Sequence, residues 1–235
     1  PSAVMYVWQG GQEGGHGVCD ALTGRVNPCG KLTDTIAYDI RDYPSTENFG
    51  DERKNYYKED IYVGYRYFES FAKDKVLYPF GFGLSYTAFE IASAITDVTE
   101  NAITVEAVVK NTGDTAGKEV VEIYVEAPQG MLGKPSRVLA GFAKTQVIAP
   151  GEEEKVTIVI PKKAYASYDD SGLTGHKDSF LLEAGSYKIY AGADVRSAAL
   201  AGSYEQELKV IEQLEEACAP SEQFERMTRD ADGTL

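Results

Sequence analysis

The sequence predicts two unlike units in one chain: an α/β unit over residues 1–90 and an antiparallel β-sandwich over residues 91–212. A short apolar run that leads through glycines into a helical stretch indicates the first unit, because strand, loop and helix form the repeating unit of parallel α/β sheets. Segments in which apolar and polar residues alternate between turn residues indicate the second unit. Residues 213–235 are interpreted as a linker.

The first element is the continuous apolar run from Ala3 to Trp8, which is typical of a strand that is covered on both faces. It ends in a glycine-rich loop, Gly10 to Gly15. The next residues, His16 to Leu22, can form a helix, and Gly24 is placed to end it. Ligands of open α/β sheets bind beyond the carboxyl ends of the strands, so this loop is a candidate binding region.

Four residues of this region are candidate substrate-binding residues: Trp8, Gln9, Gln12 and Glu13. An aromatic face can stack on the C–H surface of a sugar ring, and amides or carboxylates can hydrogen-bond to its hydroxyl groups. The alternatives are a Trp8 that is buried in the core and a Glu13 that caps the following helix. The loop lacks the Lys-Ser/Thr of a P-loop and the GxGxxG spacing, which argues against nucleotide binding.

The segment from Arg25 to about Glu59 is rich in turn residues and predicts a long irregular excursion, at a site rim or a domain seam. The stretch from Ile61 to Phe68 is either a strand or a tight helical turn. Eight aromatic residues surround it: Tyr62, Tyr65, Tyr67, Phe68, Tyr78, Phe80, Phe82 and Tyr86. They form either a sugar-stacking rim or a hydrophobic seam between the two units. We favour the seam, because the cluster directly precedes the change of pattern.

After about Phe89 apolar residues recur at every second position, which predicts strands with one buried face. Five strands are defined by Ile103, Val105, Ala107 and Val109, by Val121, Ile123 and Val125, by Val156, Ile158 and Ile160, by Tyr187 and Ile189, and by Leu208 and Val210. In the second of these strands, Glu122, Tyr124 and Glu126 are assigned to the opposite face. The stretch from Ile211 to Ala217 is a candidate for a short helix.

Charge and cysteine content exclude several function classes. The formal net charge is −14, and such an acidic surface repels phosphate backbones, so no nucleic-acid partner is predicted. No apolar run is long enough to cross a bilayer, so no membrane partner is predicted either.

The cysteines and histidines predict no metal site and no disulfide framework. Cys19, Cys29 and Cys218 have neither the spacing of a disulfide framework nor that of a zinc motif, which favours a reducing compartment. His16 and His176 lack metal-ligand neighbours, so no metal site is predicted.

The chain contains four distinctive sequence motifs. They are VWQGGQEGG with its continuation over residues 7–32, EDIYVGYRYF over residues 59–68, YPFGFGLSYT over residues 78–87, and NTGD at 111–114 with LAGF at 139–142. In this order they resemble family 3 glycoside hydrolases. The first three resemble the end of that family's sandwich domain, and the last resembles its fibronectin type III-like domain. The resemblance therefore implies that residues 1–90 are the C-terminal part of an α/β sandwich domain and that the β-sandwich is immunoglobulin-like (fibronectin type III-like).

The resemblance implies a β-glucosidase-like enzyme that removes a terminal sugar from a β-glucoside or related oligosaccharide with retention, through a covalent glycosyl-enzyme intermediate. It implies no metal and no organic cofactor. In the family the nucleophile is an Asp on a (β/α)8 barrel, and the acid/base Glu lies upstream of the motif with which this chain begins. Neither has a matching position here. We therefore assign no catalytic residue and predict that this chain alone is inactive.

The stretch YPSTENFG over residues 43–50, together with a linker after the last strand, resembles the subgroup in which the barrel follows the β-sandwich. The chain begins with Pro1 rather than Met, and we interpret it as a piece of a longer polypeptide. The expected partner is the rest of the enzyme with its (β/α)8 barrel, and the sequence is also compatible with a homo-oligomer. The alternative function is a non-catalytic module for carbohydrate binding or protein interaction, because β-sandwiches host many functions.

Overall fold

The structure is a computed structural model that describes residues 3–220 and 222–229. Its N-terminal part contains two helices and one small sheet: α1 (Gly14–Leu22), β1 (Ile36–Ala37), α2 (Tyr65–Phe71) and β2 (Val76–Tyr78), in that order. Strand β1 pairs antiparallel with β2. Most of the remaining N-terminal residues are irregular, apart from short 3-10 turns such as Ile40–Asp42 and Pro44–Glu47.

The predicted strand at residues 3–8 is not present. The structure records no strand there, and side chains of the run are exposed, with Val4 at 78% and Trp8 at 59%. A strand that is buried on both faces needs a hydrogen-bonded neighbour and two covering layers. Residues 3–220 and 222–229 supply neither to this run. The predicted helix is present and begins two residues earlier than expected, at Gly14.

Helix α2 resolves the ambiguity of the stretch from Ile61 to Phe68 in favour of a helix. It begins after Gly64, whose φ of +57° lies in the left-handed region that favours glycine. The helix buries Phe68, which packs with Ala72 and Val76 in a small cluster. The Tyr43 hydroxyl ties the irregular segment to the same cluster, since it donates to the Thr35 carbonyl at 2.7 Å.

The β-sandwich begins with β3 and contains ten strands. They are β3 (Phe89–Val98), β4 (Ala102–Asn111), β5 (Val120–Glu126), β6 (Val138–Lys144), β7 (Glu153–Pro161), β8 (Ser167–Asp169), β9 (Ser179–Leu182), β10 (Gly185–Gly192), β11 (Ala199–Gln206) and β12 (Lys209–Gln213). They form three antiparallel sheets with the orders β11-β10-β5-β6, β3-β4-β7 and β12-β9-β8.

The core of the β-sandwich is built from the alternating positions that the sequence pattern identifies. Ile103, Val105 and Val109 on β4 are completely buried, as are Tyr187 and Ile189 on β10. They belong to one continuous cluster that also takes in the apolar positions of β5 and β7. Period-two alternation therefore located the buried face of the strands that carry the core.

Three assignments within the β-sandwich are wrong. Leu208 and Val210 do not form a buried strand face, since both are exposed and Ile211 packs against the core instead. The candidate helix from Ile211 to Ala217 is instead the end of β12 followed by irregular chain. Val210 of β12 lies opposite Leu181 of β9, and this pairing outweighs the local preference. Glu122 and Tyr124 do not face solvent, since both are buried. Their sheet face is covered by the N-terminal part of the chain.

Residues 222–229 lie against the rest of the protein. The Glu222 carboxylate accepts hydrogen bonds from Lys54 Nζ at 2.6 Å and from the Tyr56 hydroxyl at 2.9 Å. The Met227 backbone N–H donates to the Lys58 carbonyl at 2.7 Å. Arg229 Nη1 donates to the Lys134 carbonyl at 3.2 Å. These contacts connect two loops that are far apart in sequence. None of the helices in the part of the chain that the structure describes is both long and apolar enough to span a membrane.

Candidate functional site

The four candidate sugar contacts lie together on the surface of the N-terminal part. All four residues are exposed. Trp8 has a φ of +54°, a left-handed backbone conformation that is rare for a bulky residue and is typically found at functional or constrained positions. Its ring makes an edge-to-face contact with Tyr6 at a centroid distance of 4.7 Å. The indole is therefore available for stacking and is not part of the core.

Glu13 directly precedes α1, but its side chain does not cap the helix. Its Oε2 lies 2.6 Å from His16 Nδ1, and both side chains are more than 80% exposed. Gly10 packs closely against the start of the helix. A Cβ at this position would lie only 2.8 Å from the Gly14 Cα, so the close approach requires a glycine. The loop thus presents a carboxylate, an imidazole and two amides to solvent, a set that can hydrogen-bond to sugar hydroxyl groups.

A hydrophobic seam joins the N-terminal part to the β-sandwich. The Tyr65 ring of α2 lies 4.6 Å from the Phe80 ring and 6.1 Å from the Tyr124 ring of β5, measured between centroids. Val195 and Ala198 complete the same buried cluster. These contacts place Tyr65 and Phe80 in a seam and not on a sugar-stacking rim. Other members of the aromatic set are held elsewhere, and the Tyr86 hydroxyl, for example, donates to the Ala21 carbonyl at 2.9 Å.

Tyr65→Phe tests how much the seam contributes. The Tyr65 hydroxyl accepts a hydrogen bond from the Leu139 backbone N–H at 2.8 Å. The variant leaves that donor unsatisfied, and we expect the free energy of unfolding to fall by about 1–3 kcal/mol. Urea denaturation measures this loss. Tyr38→Phe is the matched control, because Tyr38 is exposed, and it should change stability by less than about 0.5 kcal/mol. Equal effects of the two variants would contradict a stabilising role for the seam.

Charged groups reinforce the seam. Lys31 Nζ lies 2.8 Å from Glu119 Oε1, and both side chains are about nine-tenths buried. Arg196 Nε donates to the buried Glu69 of α2 at 2.9 Å, and Arg196 Nη2 donates to the Lys73 carbonyl at 2.8 Å. Removal of one partner of such a pair leaves a buried charge without compensation, so these pairs fix how the two parts meet.

Glu122 is the most perturbed carboxyl of the seam. Burial raises its pKa to about 7, against a hydrogen bond from the Tyr124 hydroxyl that acts to lower it. The neighbouring Gly81 has a φ of +82°, and a Cβ there would collide with the Glu122 carboxylate and the Asp194 backbone. The sequence analysis missed this group because alternation along β5 placed it on the solvent side. Its aromatic neighbour Tyr124 is the signal that could have indicated burial.

A cavity of ≈ 540 Å³ lies between the β-sandwich, the segment around Tyr62 and residues 226–228. Two carboxylates line it, Asp60 and Asp170. The guanidinium of Arg226 lies between them, with Nη1 3.0 Å from Asp60 and Nη2 2.6 Å from Asp170. Glycoside hydrolysis needs two carboxyl groups that flank the scissile bond. Arg226 occupies that space, so this pair does not form a glycosidase centre.

The structure brings together no set of metal ligands within residues 3–220 and 222–229. The three cysteines form no disulfide, and Cys19 and Cys218 are exposed while Cys29 is half-buried. His16 contacts Glu13 alone among the acidic groups that the structure describes.

Two family models match the chain, one after the other. Residues 1–86 match the glycosyl hydrolase family 3 C-terminal domain. Residues 119–195 match a fibronectin type III-like domain.

Curated relatives and solved structures agree with these models. The chain is 56% identical over 234 residues to a beta-glucosidase of Ruminococcus albus, a match that covers 99% of this chain and 25% of that protein. It is 46% identical to beta-glucosidase A of Butyrivibrio fibrisolvens, with 99% and 30% covered. A beta-glucosidase structure from Paenibacillus barengoltzii superposes with a TM-score of 0.89 at 50% identity and covers 97% of this chain and 26% of that one. The chain thus spans about a quarter of the length of these relatives.

Proposed function

Since the chain carries the family 3 glycoside hydrolase C-terminal domain followed by the fibronectin type III-like domain, we propose that it is part of a β-glucosidase that hydrolyses terminal β-linked sugars with retention. The resemblance noted in the sequence motifs is confirmed, and so is the predicted fold class. The observation that carries the proposal is the match to the Ruminococcus albus beta-glucosidase, which extends over 99% of this chain.

In this proposal the catalytic carboxylates lie outside the chain. A retaining enzyme needs an acid/base and a nucleophile whose carboxyl groups are about 5 Å apart. The family motifs that hold those residues have no matching position here, and Asp60 and Asp170, which line the cavity of ≈ 540 Å³, are bridged by Arg226. The chain supplies the end of the sandwich domain and a packed accessory domain, and its partner is the rest of the enzyme with its barrel.

Trp8, Gln9, Gln12 and Glu13 remain our candidates for contact with the sugar. Their exposure and the left-handed backbone of Trp8 support this assignment, because a constrained, exposed indole can stack on a ligand without rearrangement. The pairing of Glu13 with His16 gives the loop a fixed acceptor for sugar hydroxyl groups.

A chimera tests the proposal. This chain would replace the 234-residue matched segment of the Ruminococcus albus beta-glucosidase. We expect the chimera to hydrolyse an aryl β-glucoside and the isolated chain to show no turnover. Circular dichroism and a thermal melt check that both proteins are folded. Turnover by the folded isolated chain would contradict the assignment of the catalytic carboxylates to the rest of the enzyme, and a folded but inactive chimera would contradict the proposed function.

Trp8→Ala in the active chimera tests the sugar contact. Loss of one stacking interaction, about 1–1.5 kcal/mol, should raise KM about fivefold to tenfold with little change in kcat. Tyr38→Ala is the control, because Tyr38 is a similarly exposed aromatic residue outside the loop. An unchanged KM in the Trp8 variant would remove this residue from the binding site.

A further inference from the structure

A cleft of ≈ 760 Å³ lies between the C-terminal end of α2 and the β-sandwich, away from the loop with the candidate sugar contacts. Five cationic residues line it: Lys73, Arg137, Lys188, Arg196 and Arg229. They come from the turn after α2, from the loop before β6, from β10, from the β10–β11 turn and from the segment 222–229. The fold therefore gathers into one cleft cations that are distant in sequence.

Charge in the cleft is strongly unbalanced. Its two carboxylates, Glu69 and Glu126, are already paired. Glu69 binds Arg196 at 2.9 Å, and Glu126 binds Lys188 at 2.8 Å. Five cations against two carboxylates leave three uncompensated positive charges, in a chain whose net charge is −14. Lys73 and Arg137 form no ion pair with any residue in the described ranges.

The guanidinium groups are held in place before any ligand arrives. The guanidinium carbon of Arg137 lies 3.9 Å above the centre of the Tyr190 ring, and its Nη1 donates to the Val195 carbonyl at 2.6 Å. Arg196, the residue after Val195, donates hydrogen bonds to the Glu69 carboxylate and to the Lys73 carbonyl, which fix its guanidinium group. Arg137 and Arg196 reach the cleft from two different loops, and a bound anion would relieve the repulsion between their like charges.

We propose that this cleft binds a small oxyanion that carries two or more negative charges, of the phosphate class. A planar guanidinium fork matches the oxygens of such an anion, and fixed donors lose little conformational entropy when they bind it. The volume of this open cleft, ≈ 760 Å³, is in the range of small-ligand sites. A nucleic acid would also have to approach the acidic remainder of the surface, which the net charge opposes.

Titration of the 235-residue chain with pyrophosphate, with sodium chloride of equal ionic strength as reference, tests the proposal. At about ten times its Kd, pyrophosphate should raise Tm by about 3–6 °C beyond the salt reference. Calorimetry gives the Kd directly. A parallel titration with citrate tests whether a ligand with several carboxylates binds as tightly as pyrophosphate. We expect citrate to bind more weakly, because the planar Arg guanidinium groups fit phosphate oxygens more closely.

Variants locate the binding. Lys73→Gln should weaken pyrophosphate binding about threefold to fivefold, because one exposed cation is lost, and Arg137→Gln should weaken it tenfold or more. Lys73 is exposed, and within residues 3–220 and 222–229 its side chain forms neither a hydrogen bond nor an ion pair, so its removal should leave the fold intact. Lys155→Gln is the matched control, because it removes an equal charge from an exposed pair with Glu106 outside the cleft.

Three results would overturn the proposal. The first is the absence of any Tm increase beyond the salt reference. The second is equal weakening by Lys73→Gln and Lys155→Gln, which would indicate nonspecific screening. The third is pyrophosphate binding to the isolated chain that disappears in the folded, active chimera. That result would assign these cations to a contact with the rest of the enzyme. The proposal is independent of the proposed function, since a chimera without glucosidase activity leaves the titration of the chain unaffected.

Discussion

Glu183→Gln is expected to lower the free energy of unfolding by about 3–5 kcal/mol. Glu183 pairs with Lys134, and their side chains are only 7% and 5% exposed, respectively. Removal of the carboxylate leaves the Lys134 ammonium buried without a counter-charge. Burial already lowers the pKa of Lys134, against the ion pair with Glu183 that raises it. The loss should therefore be well above that of an exposed ion pair, which is at most about 1 kcal/mol.

The same carboxylate organises the loop between β5 and β6. It accepts hydrogen bonds from the backbone N–H groups of Met131 and Leu132, at 2.6 and 3.4 Å. Gly130 has a φ of +55°, and a Cβ there would collide with Glu183. Glutamine retains the shape and one acceptor oxygen, so the variant isolates the effect of charge. Hydrogen exchange should show faster opening of residues 129–135 in the variant.

Urea denaturation measures the coupling free energy between Glu183 and Lys134. The four proteins compared are the wild type, Glu183→Gln, Lys134→Met and the double variant. We expect the double variant to lose less stability than Glu183→Gln alone, because no charge is left buried. A loss below about 1 kcal/mol in Glu183→Gln, or additive losses in the double variant, would show that the two groups are not coupled.

Glu122→Gln should stabilise the protein at pH 8 by up to about 3 kcal/mol and should have no such effect at pH 4.5. The pKa of Glu122 is about 7 in the folded protein and 4.5 in the ordinary, unfolded case. Because the folded state holds the proton more tightly, the wild type is most stable below pH 4.5. It loses that stability as the pH rises from 4.5 to about 7, and a plateau follows. Glutamine mimics the protonated form at every pH.

Thermal or urea unfolding of the wild type and Glu122→Gln at pH 4.5 and pH 8 gives the free energy of unfolding of each protein. At pH 4.5, the difference between variant and wild type measures any change in packing or in the hydrogen bond with Tyr124. Subtraction of this difference from the one at pH 8 leaves the effect of the Glu122 charge alone. Glu154→Gln is the control, because Glu154 is a carboxylate of β7 outside the seam. A pH-independent difference, or destabilisation at pH 8 relative to pH 4.5, would mean that Glu122 is not a buried acid with a raised pKa.

The β-sandwich could be predicted from the sequence because local alternation is a direct record of burial on one face. Ile103, Val105 and Val109 illustrate this, since each lies in the core as expected. The same rule failed at Glu122, because alternation cannot tell that a distant segment around Gly81 covers the second face of β5. It also failed for residues 3–8, where the pattern of a buried strand is present but the described residues provide no neighbouring strand.

The functional features were predictable to different degrees. The candidate loop with Trp8 and Glu13 follows from a strand-loop-helix pattern in sequence, and its role stays a prediction. The basic cleft could not be foreseen, because Lys73, Arg137 and Arg196 come together only through the folded seam. A sequence that is acidic overall gives no indication of a local excess of positive charge. Position in three dimensions, and not composition, creates that excess.

The unequal size of the two hydrophobic clusters has a consequence for how the molecule assembles. The N-terminal part buries a cluster of four residues of its own, whereas the β-sandwich buries sixteen. Within this chain the N-terminal part is therefore ordered largely by its contacts with the β-sandwich, at the surface formed by Tyr124, Val195 and Ala198. We therefore expect the β-sandwich of this chain to keep its fold without residues 3–88, whereas the irregular segment before it needs that surface to acquire a defined shape.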